Sequence, residues 1–117
     1  MATTLRPPGN SQVIVAAAPE CGLKQYGEQA QTQGQLCVVR WTMFNPGGER
    51  SEIGDPIVSL LDDKGGRHDP VEPAFPAVIV PGERVDSAFV FDMPLLRTPV
   101  RLTVTNLKGG AQLEVQL

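Results

Sequence analysis

The single histidine of the chain, His68, is the side chain best suited to acid–base catalysis. A nucleophilic mechanism of the serine–histidine–aspartate kind also needs a serine beside the imidazole and a carboxylate that orients it. No serine of the chain lies in a Gly-x-Ser-x-Gly motif. His68 stands next to Asp69 just after a turn, where we expect a solvated loop residue. The sequence therefore predicts a protein that is not an enzyme.

Three aspartates, Asp62, Asp63 and Asp69, offer oxygen ligands for a calcium ion within one short segment. The EF-hand spacing of alternating acids with a distal glutamate is absent. An Asp-Asp-Lys-Gly-Gly sequence is also ordinary turn chemistry, because glycine supplies positive φ angles. We therefore predict no metal and no cofactor. A small-ligand or calcium-binding module at residues 62–69 remains an alternative function, and these three residues are its candidates.

The two cysteines, Cys21 and Cys37, predict a disulfide. An even cysteine count fits an exported protein with a structural bond, and the alternative is a pair of buried free thiols. A Cys-x-x-Cys redox or zinc pattern is absent. The bond would close a loop of about 15 residues and contribute about 3 kcal/mol of stability in the chain-entropy model.

Two features are candidates for binding a partner. Pro70, Pro73 and Pro76 recur at every third position, which places them on one face of a polyproline II segment. Such a ridge can dock in an aromatic groove, with Phe75 exposed between the prolines. The alternative is a stiff loop that caps a sheet edge. Phe44 and Val38 lie on the outward face of a predicted strand, where they form a partner patch unless the N-terminal segment or a loop covers them.

Composition and charge exclude several classes of protein. The chain has 117 residues, a hydrophobic fraction of 41% and a net charge of -3, which indicate one globular domain. Its arginines form no run, so we predict no nucleic-acid binding and no polybasic membrane contact. No stretch approaches the about 20 apolar residues of a membrane span. The first nine residues lack the pattern of a signal peptide, so we expect any signal or anchor to be missing from this sequence.

Apolar residues at every second position predict strands. In residues 35–45 the alternation directs Cys37, Val39, Trp41 and Met43 into a core and Val38 outward. Shorter patterns predict further strands at 11–18, 57–61, 67–69, 77–80, 84–91, 100–105 and 113–117. Residues 20–34 are polar and are interpreted as a connection. Residues 1–10 contain a Pro-Pro-Gly breaker and are interpreted as a disordered lead-in or cloning remnant. About seven strands predict an all-β sandwich over residues 11–117.

Several of these strands resemble the DUF4352 family. Residues 34–45 (GQLCVV…FN) resemble its G-x-F-x-V-V…N strand, and residues 60–65 (LLDDKG) resemble its L-x-D-x-x-G hairpin. Residues 81–94 (PGE…FVFDMP) resemble its P-G-E…F-d-v-P strand, and residues 100–104 (VRLTV) fit a closing strand. The resemblance implies an immunoglobulin-like β-sandwich similar to the secreted mycobacterial antigen MPT63. Members are mostly exported lipoproteins or membrane-anchored ectodomains of Gram-positive bacteria, often actinobacteria, without a general catalytic motif.

These observations together define the expected function. We expect an extracytoplasmic, non-enzymatic interaction or accessory domain that binds a protein or cell-envelope partner through its loops and one sheet face. It would be a monomer or a weak homodimer, secreted or held by an anchor outside this chain. Besides the calcium-binding module, the alternative is a protease-inhibitor-like sandwich whose loop at residues 72–80 enters an active site.

Overall fold

The chain folds into an all-β sandwich made of antiparallel sheets. The computed structural model describes residues 2–5, 12–16, 18–71, 76–110 and 112–117. Within these ranges, no helix has the length and apolarity that a membrane crossing requires. The strands are, in chain order, β1 Ala2–Leu5, β2 Gln12–Ala16, β3 Glu20–Leu23, β4 Gln25–Tyr26, β5 Gln29–Ala30, β6 Gly34–Phe44, β7 Ser51–Glu52, β8 Gly54–Asp62, β9 Arg67–His68, β10 Val78–Ile79, β11 Arg84–Pro94, β12 Pro99–Leu107 and β13 Leu113–Gln116, with a 3-10 turn at Lys108–Gly110.

Two sheets form the layers of the sandwich. The main sheet has the strand order β1-β2-β6-β11, and β3 pairs with β6 beyond the end of β2. The second sheet has the order β13-β12-β8-β9. Short pairs join β4 to β5 and β7 to β10. The orders β2-β6-β11 and β13-β12-β8 correspond to the A-B-E and G-F-C strands of immunoglobulin domains. The predicted immunoglobulin-like sandwich is therefore confirmed.

The core lies between the two sheets, as the alternation in β6 predicts. Cys37, Val39, Trp41 and Met43 are buried on the inner face of β6. Trp41 packs against Phe89 of β11, with ring centroids 5.6 Å apart. The facing sheet contributes buried apolar side chains from β8, β12 and β13, namely Val58, Leu60, Leu102, Val104, Leu107, Leu113 and Val115.

The segment interpreted as a polar connection, residues 20–34, is in fact largely strand. Cys21 forms a disulfide with Cys37, with Cα atoms 4.1 Å apart, and this holds β3 beside β6. The pairing contains a bulge between Glu20 and Leu23, so the apolar alternation of a regular strand is missing. The strands β4 and β5 form a tight hairpin in which Gly27 has a φ of 59°. The interpretation of residues 20–34 as a connection is wrong, because pairing with distant parts of the chain creates these strands and no local sequence pattern marks them.

The lead-in predicted at the N-terminus is also partly wrong. Ala2–Leu5 form β1, which pairs antiparallel with β2. The physical reason is the free edge of β2, whose backbone groups need partners, together with β-branched threonines that favour an extended backbone. The remaining residues of that prediction, 1 and 6–10, lie outside the described ranges. In addition, β8 begins at Gly54, earlier than the predicted 57.

The packing of Trp41 generates the first prediction. We expect Trp41→Ala to lower the free energy of unfolding by about 3–5 kcal/mol, because the surrounding core cannot close around the missing indole. Ile57→Ala is the control: Ile57 is 57% exposed, so its truncation should change stability by less than about 0.5 kcal/mol. Urea denaturation followed by circular dichroism measures both. A Trp41→Ala protein as stable as the parent would contradict the inward placement.

The disulfide generates the second prediction. Alkylation before reduction should leave both cysteines unlabelled in the intact mass, and alkylation after reduction should label both. Reduction should lower the free energy of unfolding by about 3 kcal/mol, because the unfolded chain gains freedom in a loop of about 15 residues. Amide hydrogen exchange should accelerate most in residues 20–30. Equal acceleration in β8 and β12 would show that the bond does not act locally.

Candidate functional site

The strand register of the main sheet presents one face away from the core, here called the outer face. Side chains alternate across a strand, so the residues between the inward positions of β6 point to this face. Their cross-strand neighbours on β11 and β2 point the same way. The outer face comprises Leu36, Val38, Arg40, Thr42 and Phe44 on β6, Arg84, Asp86, Ala88 and Val90 on β11, and Ile14 on β2.

Residues 20–30, here called the cover segment, bury one half of the outer face. Leu23 and Tyr26 of this segment pack on a second, small apolar cluster formed by Leu36, Val38, Ala88 and Val90. Val38 is therefore covered and not part of a partner patch, and cover was the alternative that the sequence left open. The cover is the segment of short strands at residues 20–30.

Several contacts hold the cover segment on the sheet. The disulfide joins its first strand to Cys37. Arg40 projects from β6 at the border of the covered half, where it forms an ion pair with Glu20 at 3.5 Å. The same guanidinium lies over the Tyr26 ring, 5.9 Å from its centroid. One arginine thus contacts the cover segment at two places, its first residue and its hairpin.

The buried side chain of Gln35 anchors the first strand of the cover segment, β3. Its Oε1 accepts a hydrogen bond from the Gly22 N–H at 3.0 Å. Its Nε2 donates to the carbonyls of Pro94 and Arg97 at 2.8 and 3.0 Å. Gln35 therefore couples the bulge of β3 to the turn between β11 and β12. A buried amide with these partners is satisfied, and the hydrogen bonds offset the cost of removing it from water.

Asp92 on β11 fixes the residues that connect the cover segment to β6. Its carboxylate accepts hydrogen bonds from the N–H groups of Thr32 and Gln33 at 3.0 and 3.1 Å, and from the Thr32 hydroxyl. Partial burial acts to raise the pKa of Asp92, but these donors outweigh it, and the pKa is lowered. The carboxylate is therefore ionised at neutral pH.

Among the described residues, no segment covers the other half of the outer face. Ile14, Thr42, Phe44 and Arg84 line a groove of about 210 Å³. Ile14 is 40% exposed, and Phe44, the last residue of β6 on the outer face, is half-buried. Phe44 was a predicted partner-binding residue, and the structure places it in this groove. The groove combines an apolar base with the charge of Arg84 at its rim.

A second depression lies where the cover segment ends. The tip of the β4–β5 hairpin and the side of β11 enclose a cleft of about 390 Å³, lined by Tyr26, Gly27, Glu28, Asp86, Ser87, Ala88 and Val90. Hydrogen bonds from the Thr42 hydroxyl and from Arg84 lower the pKa of Asp86. The cleft therefore carries an ionised carboxylate at neutral pH. Sequence reasoning missed Tyr26 and Glu28 because they lie in the segment interpreted as a connection.

The aspartate-rich turn forms a buried hydrogen-bond cluster at one end of the sandwich. Asp62, only 1% exposed, accepts from the Lys64 and Gly66 N–H groups at 2.8 Å each and from Arg97 Nη1 at 3.0 Å. His68 Nε2 lies 2.8 Å from Asp62 Oδ2. The hydrogen bond with His68 is the main reason that the pKa of Asp62 is lowered, and burial opposes it. A Cβ at Gly66 would stand 2.5 Å from Asp62 Oδ2, so this turn requires glycine.

His68 is therefore not the solvated loop residue that the sequence predicts. Its side chain is 15% exposed and is engaged with Asp62. An ionised carboxylate can only accept, so Nε2 carries the proton in this hydrogen bond. The sequence could not show this, because the cluster needs Arg97, which lies 35 residues from Asp62 in the chain.

The three aspartates are not gathered into a ligand set. Both oxygens of Asp62 already accept hydrogen bonds, and Arg97 places a positive charge beside one of them. Asp63 accepts from the Thr98 N–H at 2.9 Å, and Asp69 is exposed. Across the described part of the chain, no three His, Cys, Asp or Glu side chains are grouped to hold a metal ion.

The proline-rich segment can be described only at its ends. Pro70 and Pro76 are half-buried and lie outside strands, as predicted for prolines. Pro73 and Phe75 lie outside the described ranges, so the predicted ridge stays a prediction. The Val71 N–H donates to the Val90 carbonyl at 2.7 Å. The start of this segment therefore pairs with the edge of β11, as a capping loop would.

Comparisons with known proteins identify no relative. No protein-family model, no curated protein and no solved structure matches this chain. The site therefore has to be interpreted from its own geometry.

The Asp62 cluster generates the third prediction. Asp62→Asn should destabilise the protein at neutral pH, because the amide cannot accept from all four donors. The folded pKa of Asp62 lies below its ordinary value of 3.8, so the ionised form stabilises the fold above that value. This contribution is lost as the pH falls below 3.8 towards the lowered folded pKa.

The measurement is thermal unfolding of the parent and Asp62→Asn proteins across the acid range. The difference in melting temperature should be constant from neutral pH to about pH 5 and shrink towards about pH 2. Asp69→Asn, at an exposed carboxylate, is the control and should match the parent throughout. A difference for Asp62→Asn that is independent of pH would assign the effect to packing and not to the charge.

Proposed function

We propose that this chain is an extracytoplasmic, non-enzymatic interaction domain that binds a protein or cell-envelope partner through the open half of the outer face. The observation that carries this proposal is the groove at Phe44. The fold provides a segment that covers one apolar half of the sheet and leaves Ile14 and Phe44 accessible on the other. Exposed apolar side chains with a polar rim are the usual composition of a protein-binding surface.

The rim of the groove is suited to specificity. Arg84 and Asp86 form an ion pair at 3.1 Å, and the Thr42 hydroxyl donates to Asp86. Exposed ion pairs of this kind contribute little to stability. They are therefore free to exchange partners with groups on another protein, while the Phe44 ring supplies the apolar contact at the centre.

The location outside the cytoplasm rests on the disulfide. Cytoplasmic thiols are kept reduced, and a Cys21–Cys37 bond is favoured in an oxidising compartment. The proposed relationship to the DUF4352 family agrees with this location, because its members are mostly exported lipoproteins or anchored ectodomains.

The assignment as a non-enzyme is supported by the role of His68. Its Nε2 is engaged with the buried carboxylate of Asp62, as part of the cluster that ties Arg97 to the β8–β9 turn. This geometry stabilises the β8–β9 turn. The proposal therefore treats the cluster as structural.

The groove generates the fourth prediction. Immobilised parent protein should retain a specific component of a cell-envelope extract, and Phe44→Ser should reduce the retained amount about tenfold or more, as for a central interface residue. Ile57→Ser is the matched control, because Ile57 is an exposed apolar side chain on the other sheet. Quantitative mass spectrometry measures the retained proteins.

Two further measurements make this test decisive. Circular dichroism melting checks that Phe44→Ser remains folded, so a loss of retention cannot be attributed to unfolding. Sedimentation velocity of the parent detects self-association, and a dimer dissolved by Phe44→Ser would identify a second copy as the partner. Equal retention by the parent and Phe44→Ser proteins would contradict the proposed surface.

A further inference from the structure

We infer that the cleft between the cover segment and β11 binds a lysine or arginine side chain presented by a partner protein. This inference rests on the proposed function, because it specifies the chemistry of a partner that docks on the outer face. It concerns a place distinct from the Phe44 groove, and it is argued from the shape of the cleft and from its charges.

The cleft has an apolar floor and one aromatic wall. Ala88 and Val90 are buried beneath it, and Tyr26 of the cover segment stands at its side. Its volume of about 390 Å³ accommodates a long side chain together with the adjoining backbone. An aliphatic stem laid in this cleft would remove its own apolar surface from water, together with the exposed part of the Tyr26 ring.

The rim of the cleft carries carboxylates. Glu28 at the hairpin tip is exposed, and it forms no ion pair with any other described residue. The Asp86 side chain also lines the cleft and is 60% exposed. Among the described residues, its binding partners are Arg84 and Thr42. Gly27 leaves the approach open, since a Cβ there would meet no atom within 4 Å.

The balance of charge around the cleft favours a cation. Glu28 and Asp86 supply the carboxylates that line the cleft, and two arginines, Arg40 and Arg84, lie near it. Arg40 is paired with Glu20, and Arg84 is paired with Asp86, so the carboxylate of Glu28 is the uncompensated charge. The net charge of the whole chain, -3, has the same sign and would attract a basic partner.

Lysine and arginine match this combination better than other side chains. Both join an apolar stem to a cationic head, so the stem can lie on Ala88 and Val90 while the head reaches Glu28. A purely apolar side chain would cover the carboxylates without satisfying them. An acidic side chain would be repelled by Glu28 and Asp86.

The test is a titration of the full ¹⁵N-labelled chain with the peptide acetyl-Gly-Ser-Lys-Ser-Gly-amide, followed by amide chemical shifts. Shifts should concentrate at Gly27, Glu28, Ser87 and Ala88 and weaken when salt is raised. Peptides with norleucine or glutamate in place of lysine should produce no such shifts. Shifts located elsewhere, or equal for the norleucine peptide, would overturn the inference.

Variants test whether the carboxylate of Glu28 at the rim of the cleft binds the lysine of the peptide. Glu28→Gln should weaken lysine-peptide binding about two- to fivefold, the range of one exposed ion pair. Glu49→Gln, at another exposed glutamate, is the matched control and should leave binding unchanged. Butylamine binding as tightly as the peptide would identify a site for small amines and overturn the assignment to a partner protein.

The outcome is separable from that of the proposed function. If Phe44→Ser abolishes retention of an envelope component while the lysine peptide fails to bind, the interaction domain stands and the cleft assignment is wrong. If the peptide binds at the cleft but Phe44→Ser has no effect on retention, the proposed groove is wrong.

Discussion

The burial of both faces of β6 is the constraint on which the rest of the structure depends. Leu36, Cys37, Val38 and Val39 are consecutive and all are buried. A strand buried on both sides needs a layer on each, as in the interior of a layered fold. The second sheet supplies the inner layer, and the cover segment, bonded through Cys21, supplies the outer one. The disulfide thus fixes β3 in the main sheet, and the β4–β5 hairpin that follows adds a third layer over part of the outer face.

The third layer ends where the outward row of β6 changes from apolar to polar. Arg40 and Thr42 follow Leu36 and Val38 on the same face, and they do not require a cover. Phe44 is the exception, because it is an apolar residue on the same face of β6 that the cover segment does not reach. The two depressions of the outer face lie on either side of this border. Their different linings, apolar at Phe44 and acidic at Glu28, follow from the side chains at the border and not from the fold itself.

Buried polar side chains fix the loops at the ends of the core. Gln35 binds the turn between β11 and β12, and Asp62 binds its own hairpin and Arg97. Asn45, fully buried, donates from Nδ2 to the carbonyls of Glu49 and Ile79 at 2.7 and 3.1 Å. Each satisfies several backbone groups from one position, and such networks specify a unique arrangement. Hydrogen bonds from buried side chains therefore fix the ends of the strands that present Tyr26 and Phe44.

Period-two alternation predicts the inner face of β6 and the inward aromatic residues of β11, because burial on one face leaves that signature in the sequence.

The sequence of β6 also contains a signal for the cover segment that the prediction of strands did not use. Alternation fails between Leu36 and Val39, where four apolar residues follow one another, and such a run demands cover on both faces. The identity of the cover could not be predicted, since the bulged pairing of β3 leaves no alternation of its own and depends on the bond between Cys21 and Cys37. The cleft is created by that same pairing, so a local pattern could not reveal it: its carboxylates, Glu28 and Asp86, come together only after the cover segment has been laid on the sheet.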